Sequence, residues 1–428
     1  MLDRKQPPVT RPIEHIHIPE PRLLKAPNGM EIYILDMGDQ EVVRIDLMFG
    51  AGKWEQDKLL VAMFTNLMLK EGVEGMSSQE VAEHLDYYGA WLQPSATFHN
   101  SYVTLYSLNK HVEKTIPVLE KIIKKPMFPE YEFDVIRNRR KQQFRVDDEK
   151  VDVKGFNKFV ELLYSKQYPY GNCAEEKDFD LVTREDLIDF HAKCYRADNC
   201  RIILTGRVTN EIIDQVIAHF GNGTWGGEDT AFTPKQYTST ASPAGSYHVD
   251  KADAMQSAVR IGIPLVGRDH PDYPKLRVLN TLLGGYFGSR LMTNIREEKG
   301  YTYGIGSSIT TLKYASYLSI ATQTATEYTQ PLIKEVFYEI DRLKEDLVSS
   351  EELEMMKGYL MGEMARLFDG PFSIADAHQS LLANDMTTVY YHQMIDAIQH
   401  VTAEELRDLA RKYLINDQFY VVVAGQHS

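Results

Sequence analysis

The sequence predicts an α+β protein built from two tandem homologous domains, each a mainly antiparallel sheet covered by helices, and three observations carry that prediction. A fixed offset of 219 residues aligns VTREDLIDF (182–190) with VTAEELRDL (401–409), and then Gly206 of RIILTG with Gly425 of YVVVAG. The two copies also open alike, because VVRIDLMFG (42–50) and AVRIGIPL (258–265) both read as strands leading into apolar-periodic helices. Between them, GGEDTAFTPKQYTSTASPAG (226–245) is rich in Gly, Ser, Thr and Pro and poor in large aliphatics, as a connector is. The expected boundaries are 1–228 for the N-terminal domain, 229–246 for the linker and 247–428 for the C-terminal domain.

Within each copy, YVTLYSL (102–108) and YASYLSIAT (314–322) alternate as half-buried antiparallel strands do. SSQEVAEHLDYYG (77–89) and EYTQPLIKEVFYEIDRLKE (327–345) carry the helical period, so helices are expected over one face of each sheet. Ser77 and Ser78 ahead of Glu80, Thr183 ahead of Glu185, and Thr402 ahead of Glu404 and Glu405 are N-terminal capping signals. Gly89 and Gly300 each close a helical pattern at a place that calls for a left-handed residue.

Composition limits the function classes. The 428 residues are 43% hydrophobic and 25% charged, and 47 Lys+Arg against 61 Asp+Glu leave a net charge of −14. That balance argues against general affinity for nucleic acid or anionic membrane. No run of about twenty apolar residues occurs, and the polar MLDRKQPPVTRPIEH start does not read as a secretory signal, so a cytoplasmic protein is expected. Cys173, Cys194 and Cys200 show no Cys-x-x-Cys spacing, which suggests neither a disulfide framework nor a thiolate metal site.

The thirteen histidines include no His-x-x-Glu-His, His-Glu-x-x-His or His-x-x-x-His spacing. There is no Gly-x-Ser-x-Gly elbow, phosphate loop or dinucleotide fingerprint, and GGYFGSR (284–290), lacking a lysine, reads as a tight bend.

LVTREDLIDFHAKCYRADNCRIILTG, SRLMTNIREEKGYTYGIGSS and VTAEELRDLARKYL together resemble the insulinase, pitrilysin and mitochondrial processing peptidase family of zinc peptidases. The resemblance spans nearly the whole chain and implies half of a clam-shaped peptidase chamber. That family sets His-x-x-Glu-His on its first long helix and a further metal-binding glutamate on a later one. The corresponding stretch here is LLVAMFTNLMLKEG (59–72), where the two histidines become Ala62 and Asn66 and the general base becomes Thr65. On EFDVIRNRRKQQF (132–144) the later glutamate falls close to Arg139, and a guanidinium about 4 Å from a dication is repelled by roughly 8 kcal/mol at an effective dielectric of about 20. No catalytic residue and no metal are therefore expected in this chain. Where active members place Asn-Ala on the strand that pairs with substrate, this chain has Gln93-Pro94.

In the second copy, IREEKGYTY (295–303) is similar to the family segment whose arginine and tyrosine, seven residues apart, contact substrate; these match Arg296 and Tyr303, the latter expected on the strand after Gly300. A guanidinium near a helix end offers forked donors, and a tyrosyl hydroxyl can donate to a carbonyl oxygen that gains charge. The resemblance thus implies the non-catalytic, substrate-binding subunit of a heterodimeric peptidase, partnered by a zinc-bearing homologue, with peptide as substrate, no nucleic acid and no membrane as partners, and a homodimer as an option when alone. The rival expectations are an active zinc metalloendopeptidase with atypical ligands such as His84 or His99, and an architectural subunit of a larger complex.

Overall fold

A computed structural model describes residues 13–227 and 231–426. The first sheet contains β1 (Arg22–Lys25), β2 (Glu31–Asp36), β3 (Val42–Phe49), β4 (Trp91–Ala96), β5 (Ser101–Leu108) and β6 (Cys200–Gly206), in the order β1-β2-β6-β3-β5-β4. The second contains β7 (Gly245–Asp250), β8 (Ser257–Leu265), β9 (Ile305–Thr311), β10 (Ser316–Thr324) and β11 (Tyr420–Gly425), in the order β7-β11-β8-β10-β9. Without the β1 hairpin strand, the two orders are the same. Each sheet has one parallel pair, β2 with β6 and β7 with β11, and is otherwise antiparallel. β7 begins at Gly245, inside the connector read from composition, and residues 228–230 of that connector lie outside the described residues.

Local signals set the element ends. Ser77 caps the Ser78–Tyr87 helix in a reciprocal box with Glu80, and Thr402 caps Ala403–Tyr413 with Glu405. Thr183 closes its box with Asp186, not Glu185, because the third helical position is the one whose side chain reaches back to the cap. Gly206, at φ +107°, ends β6 where an added Cβ would stand 2.3 Å from the Val42 carbonyl oxygen.

One face of each sheet carries a helical core. Ile45, Leu47, Ile202 and Leu204 meet Phe64, Leu119 and Phe133 in the first half, while Val259, Ile261, Leu318 and Ile320 meet Leu279, Val336 and Ile340 in the second. The opposite faces are also covered, contrary to the one-sided expectation, and each cover comes from the other half. The Val151–Tyr164 helix packs on β8 and β11, and the Pro371–Ala383 helix packs on β6. These helices stand close to the 219-residue offset, so equivalent elements have been exchanged. Phe159 sits on Gly262, where an added Cβ would be 2.4 Å from its ring, and Gly155 lies on Ala258 and Ala424. On the first sheet, Ile374 meets Leu35 and Ile203, and Arg44 reaches Asp376 at 2.7 Å and the Phe372 carbonyl at 3.2 Å. Among the described residues no helix is long and apolar enough to cross a membrane.

Candidate functional site

The degenerate motif lies on the Val61–Met68 helix, whose Ala62, Thr65 and Asn66 are all buried, none more than 1% exposed. The Asn66 amide donates to the Tyr102 carbonyl oxygen (3.1 Å) and to the Tyr195 hydroxyl (3.2 Å). Complete burial pushes the Tyr195 phenol well above its ordinary range. The Tyr195 ring stacks on His191 at 5.1 Å between centroids, and the His191 Nε2 donates to the Ile123 carbonyl oxygen at 2.8 Å. Burial holds that imidazole neutral, lowering its pKa to about 4.

This donor set does not fit zinc. An amide, a hydroxyl and a methyl group replace the imidazoles and carboxylate that such a site uses. Thr65 Oγ1 and Asn66 Oδ1 are buried without a hydrogen-bond partner, but both are neutral oxygens, and no group of three or more His, Cys, Asp or Glu side chains able to hold a metal occurs among the described residues. Arg139 is exposed on the Glu130–Asp148 helix, so its charge is spread into solvent. The substituted-ligand candidates lie elsewhere: His84 Nε2 bonds the Lys114 carbonyl at 2.9 Å, and His99 Nε2 bonds the Tyr170 hydroxyl at 2.6 Å, with burial lowering the His99 pKa to about 4. Pro94 lies on β4, the edge strand paired to β5 alone, where its missing N–H costs the ladder nothing.

Arg296 and Tyr303 are brought together. Arg296 rides on a wide helical segment, Met292–Glu298, and Gly300 at φ +67° reverses the chain after it. Its Nε donates to the Tyr303 carbonyl oxygen at 2.9 Å, and its guanidinium lies over the Phe287 ring at 4.8 Å and the Tyr303 ring at 5.9 Å. Tyr303 is not in a strand, as the sequence suggested; it occupies the bend just before β9 and is 94% exposed. The reason is local: Thr302 Oγ1 accepts from the Gly304 N–H at 3.2 Å and bonds toward the Gln323 carbonyl at 2.7 Å, which curls the chain before pairing begins at Ile305.

Two members of this arrangement were not read from sequence. Phe287 belongs to the GGYFGSR bend and is 64% exposed, so the bend serves to present an aromatic ring under Arg296. A large aromatic between glycines was the available signal. Tyr195, which fills the space beside Asn66, gave none, because the contact spans 129 residues.

Comparison with known proteins agrees with this geometry. Residues 181–360 match the family model described as the peptidase M16 inactive domain. A Bacillus subtilis protein named as an uncharacterized zinc protease, YmxG, is 23% identical over 415 residues, covering 93% of this chain and 96% of that protein. A Helicobacter pylori protein named as a non-peptidase homolog, YmxG, is 21% identical over 400 residues, covering 92% and 91%. Among solved structures, a peptidase M16 inactive domain from Pseudomonas fluorescens superposes with a TM-score of 0.85 at 24% identity, covering 95% of this chain and 98% of that one. Two sheets of one topology, a first helix without metal donors and a matched C-terminal segment point the same way: residues 181–360 are similar to the peptidase M16 inactive domain, and the whole chain shares the fold of the solved M16 structure.

Proposed function

We propose that this chain is the non-catalytic subunit of a heterodimeric zinc-dependent peptidase and binds peptide substrate opposite a zinc-bearing homologue. The observation that carries this reading is the contrast between the two halves. The first-half helix is sealed by the Asn66–Tyr195 contact, whereas the second half holds Arg296 and an exposed Tyr303 at the start of an edge strand. Phe287 and the Tyr303 carbonyl hold the guanidinium, whose Nη1 also lies 3.7 Å from the Glu297 carboxylate, and its forked N–H groups can donate to a peptide carbonyl or carboxylate. The Tyr303 hydroxyl, free to face a partner, can donate to a carbonyl oxygen as negative charge builds on it. Zinc, the attacking water and the general base belong to the partner subunit in this scheme.

The experiment is reconstitution of the full chain with a zinc-bearing homologue from the same cell, assayed on peptides with and without a chelator. The expected result is chelator-sensitive cleavage by the pair, none by this chain alone, and a large loss with Arg296→Ala or Tyr303→Phe in an intact dimer. Unchanged cleavage by both variants would favour the architectural role instead. Stoichiometric zinc in this chain, or cleavage by it alone, would restore the atypical-ligand reading.

A further inference from the structure

Arg260 stands in the middle of β8, the central strand of the second sheet, on the face that receives the exchanged Val151–Tyr164 helix. Arg260 is half-buried there, so its charge is partly desolvated and gains from a partner. The first sheet shows the neutralised case. Arg44 on β3 faces the other exchanged helix and is held by Asp46 at 2.8 Å, Asp376 at 2.7 Å and the Phe372 carbonyl oxygen. At Arg260 the residue two further along the strand is Gly262, and among the described residues no carboxylate lies within ion-pair distance and no hydrogen bond is made to the guanidinium. The guanidinium lies over the Phe156 ring at 5.0 Å, with Tyr317 and Asp152 acting on it electrostatically. Desolvation lowers the Arg260 pKa from its ordinary value, which reports how little compensates the charge.

The guanidinium lines a cavity of about 680 Å³ whose wall also includes Tyr303, Thr302, Gln323, Gln256 and Asp152. The cavity therefore adjoins the exposed tyrosine already assigned to substrate. Asp152, on the exchanged helix, is exposed and screened by solvent, whereas Arg260 is the more deeply set charge.

We propose that this cavity is a subsite for a carboxylate on the bound peptide, with Arg260 as the residue that selects an acidic side chain next to the segment held by Arg296 and Tyr303. The inference rests on the substrate-binding reading above and adds a substrate class to it. A peptide carboxylate would supply the charge-assisted hydrogen bonds that Asp46 and Asp376 supply to Arg44.

The test uses the full chain and fluorescein-labelled extended peptides that differ only in glutamate or glutamine at one scanned position, with anisotropy as the readout. At one position the glutamate peptide is expected to bind about tenfold tighter than its glutamine twin, with the preference shrinking as salt rises. Arg260→Gln is expected to abolish the preference and leave the affinity for the glutamine peptide unchanged, while Tyr303→Phe weakens both peptides alike. Equal binding of the twins at every position by the wild-type chain overturns the acidic subsite alone and needs no variant that must fold. A preference that survives Arg260→Gln also overturns it. Binding of no peptide overturns the substrate-binding reading and the subsite with it.

Discussion

Replacing Phe159 by alanine tests whether the exchanged helices join the two halves into one cooperative unit. Phe159 is fully buried on the Val151–Tyr164 helix, which belongs by chain order to the first half but packs on the second sheet. Deleting the ring removes about 150 Å² of apolar burial, or about 4 kcal/mol at roughly 25 cal/mol per Å². Loss of the edge-on contact with Tyr317, at 5.5 Å between centroids, adds about 1 kcal/mol. The floor beneath the ring is Gly262, which has no side chain to move into the void, so the upper part of the usual ~3–5 kcal/mol range for such a change applies. The assay is urea unfolding followed by tryptophan fluorescence, which reports Trp54 in the same cluster as Phe159 together with Trp91 and Trp225 of the first half, and by far-UV circular dichroism, which reports both sheets. Both transitions should move together to lower urea. A loss below about 1 kcal/mol, or a shift in one probe with the other unmoved, would refute the coupling.

Other outcomes follow from single groups. His191 is held neutral down to about pH 4, whereas the unfolded imidazole takes up its proton near 6.5, so stability should fall as pH drops through that window, by about 3 kcal/mol at roughly 1.4 kcal/mol per unit. In His191→Gln, urea unfolding repeated between pH 4 and pH 6.5 should show a shallower slope, and an unchanged slope would remove His191 as the cause. Tyr195→Phe leaves the Asn66 amide one acceptor short in a buried site and should cost about 1–3 kcal/mol in chemical denaturation. Gly206→Ala should cost more than about 1 kcal/mol, because the new methyl group meets the Val42 carbonyl oxygen at a positive φ; a neutral result in a thermal melt would mean that the strand end relaxes freely. Tyr303→Phe should leave the melting temperature unchanged while lowering turnover by the reconstituted pair about a hundredfold.

Much of the architecture was legible because its signals are local. The capping boxes at Ser77 and Thr402 and the left-handed Gly89 and Gly300 lie within a few residues of the elements they end. The strand period of β5 and β10 is likewise written in neighbouring residues. Thr183 shows the grain of such signals, since two acidic residues compete and helix geometry chooses Asp186. The site was legible only as identities. Arg296 and Tyr303 are seven residues apart and close a short turn, so their meeting could be anticipated, but the Phe287 ring beneath them and the exposed bend that carries Tyr303 could not. Arg139 shows the same limit: its residue type was legible, but its exposure on the Glu130–Asp148 helix was not.

By itself the sequence determined that the chain is a duplicated α+β unit whose first long helix carries Ala62, Thr65 and Asn66 in place of metal donors, because repeats and residue types are properties of the string. Only the tertiary structure decided that the two copies exchange a helix, that Asn66 closes on Tyr195, and that Arg44 is ion-paired while Arg260, among the described residues, is not. Apolar period tells which side of a helix is buried but not against which sheet. The compensation of a buried charge is likewise a sum over neighbours that folding gathers from distant parts of the chain.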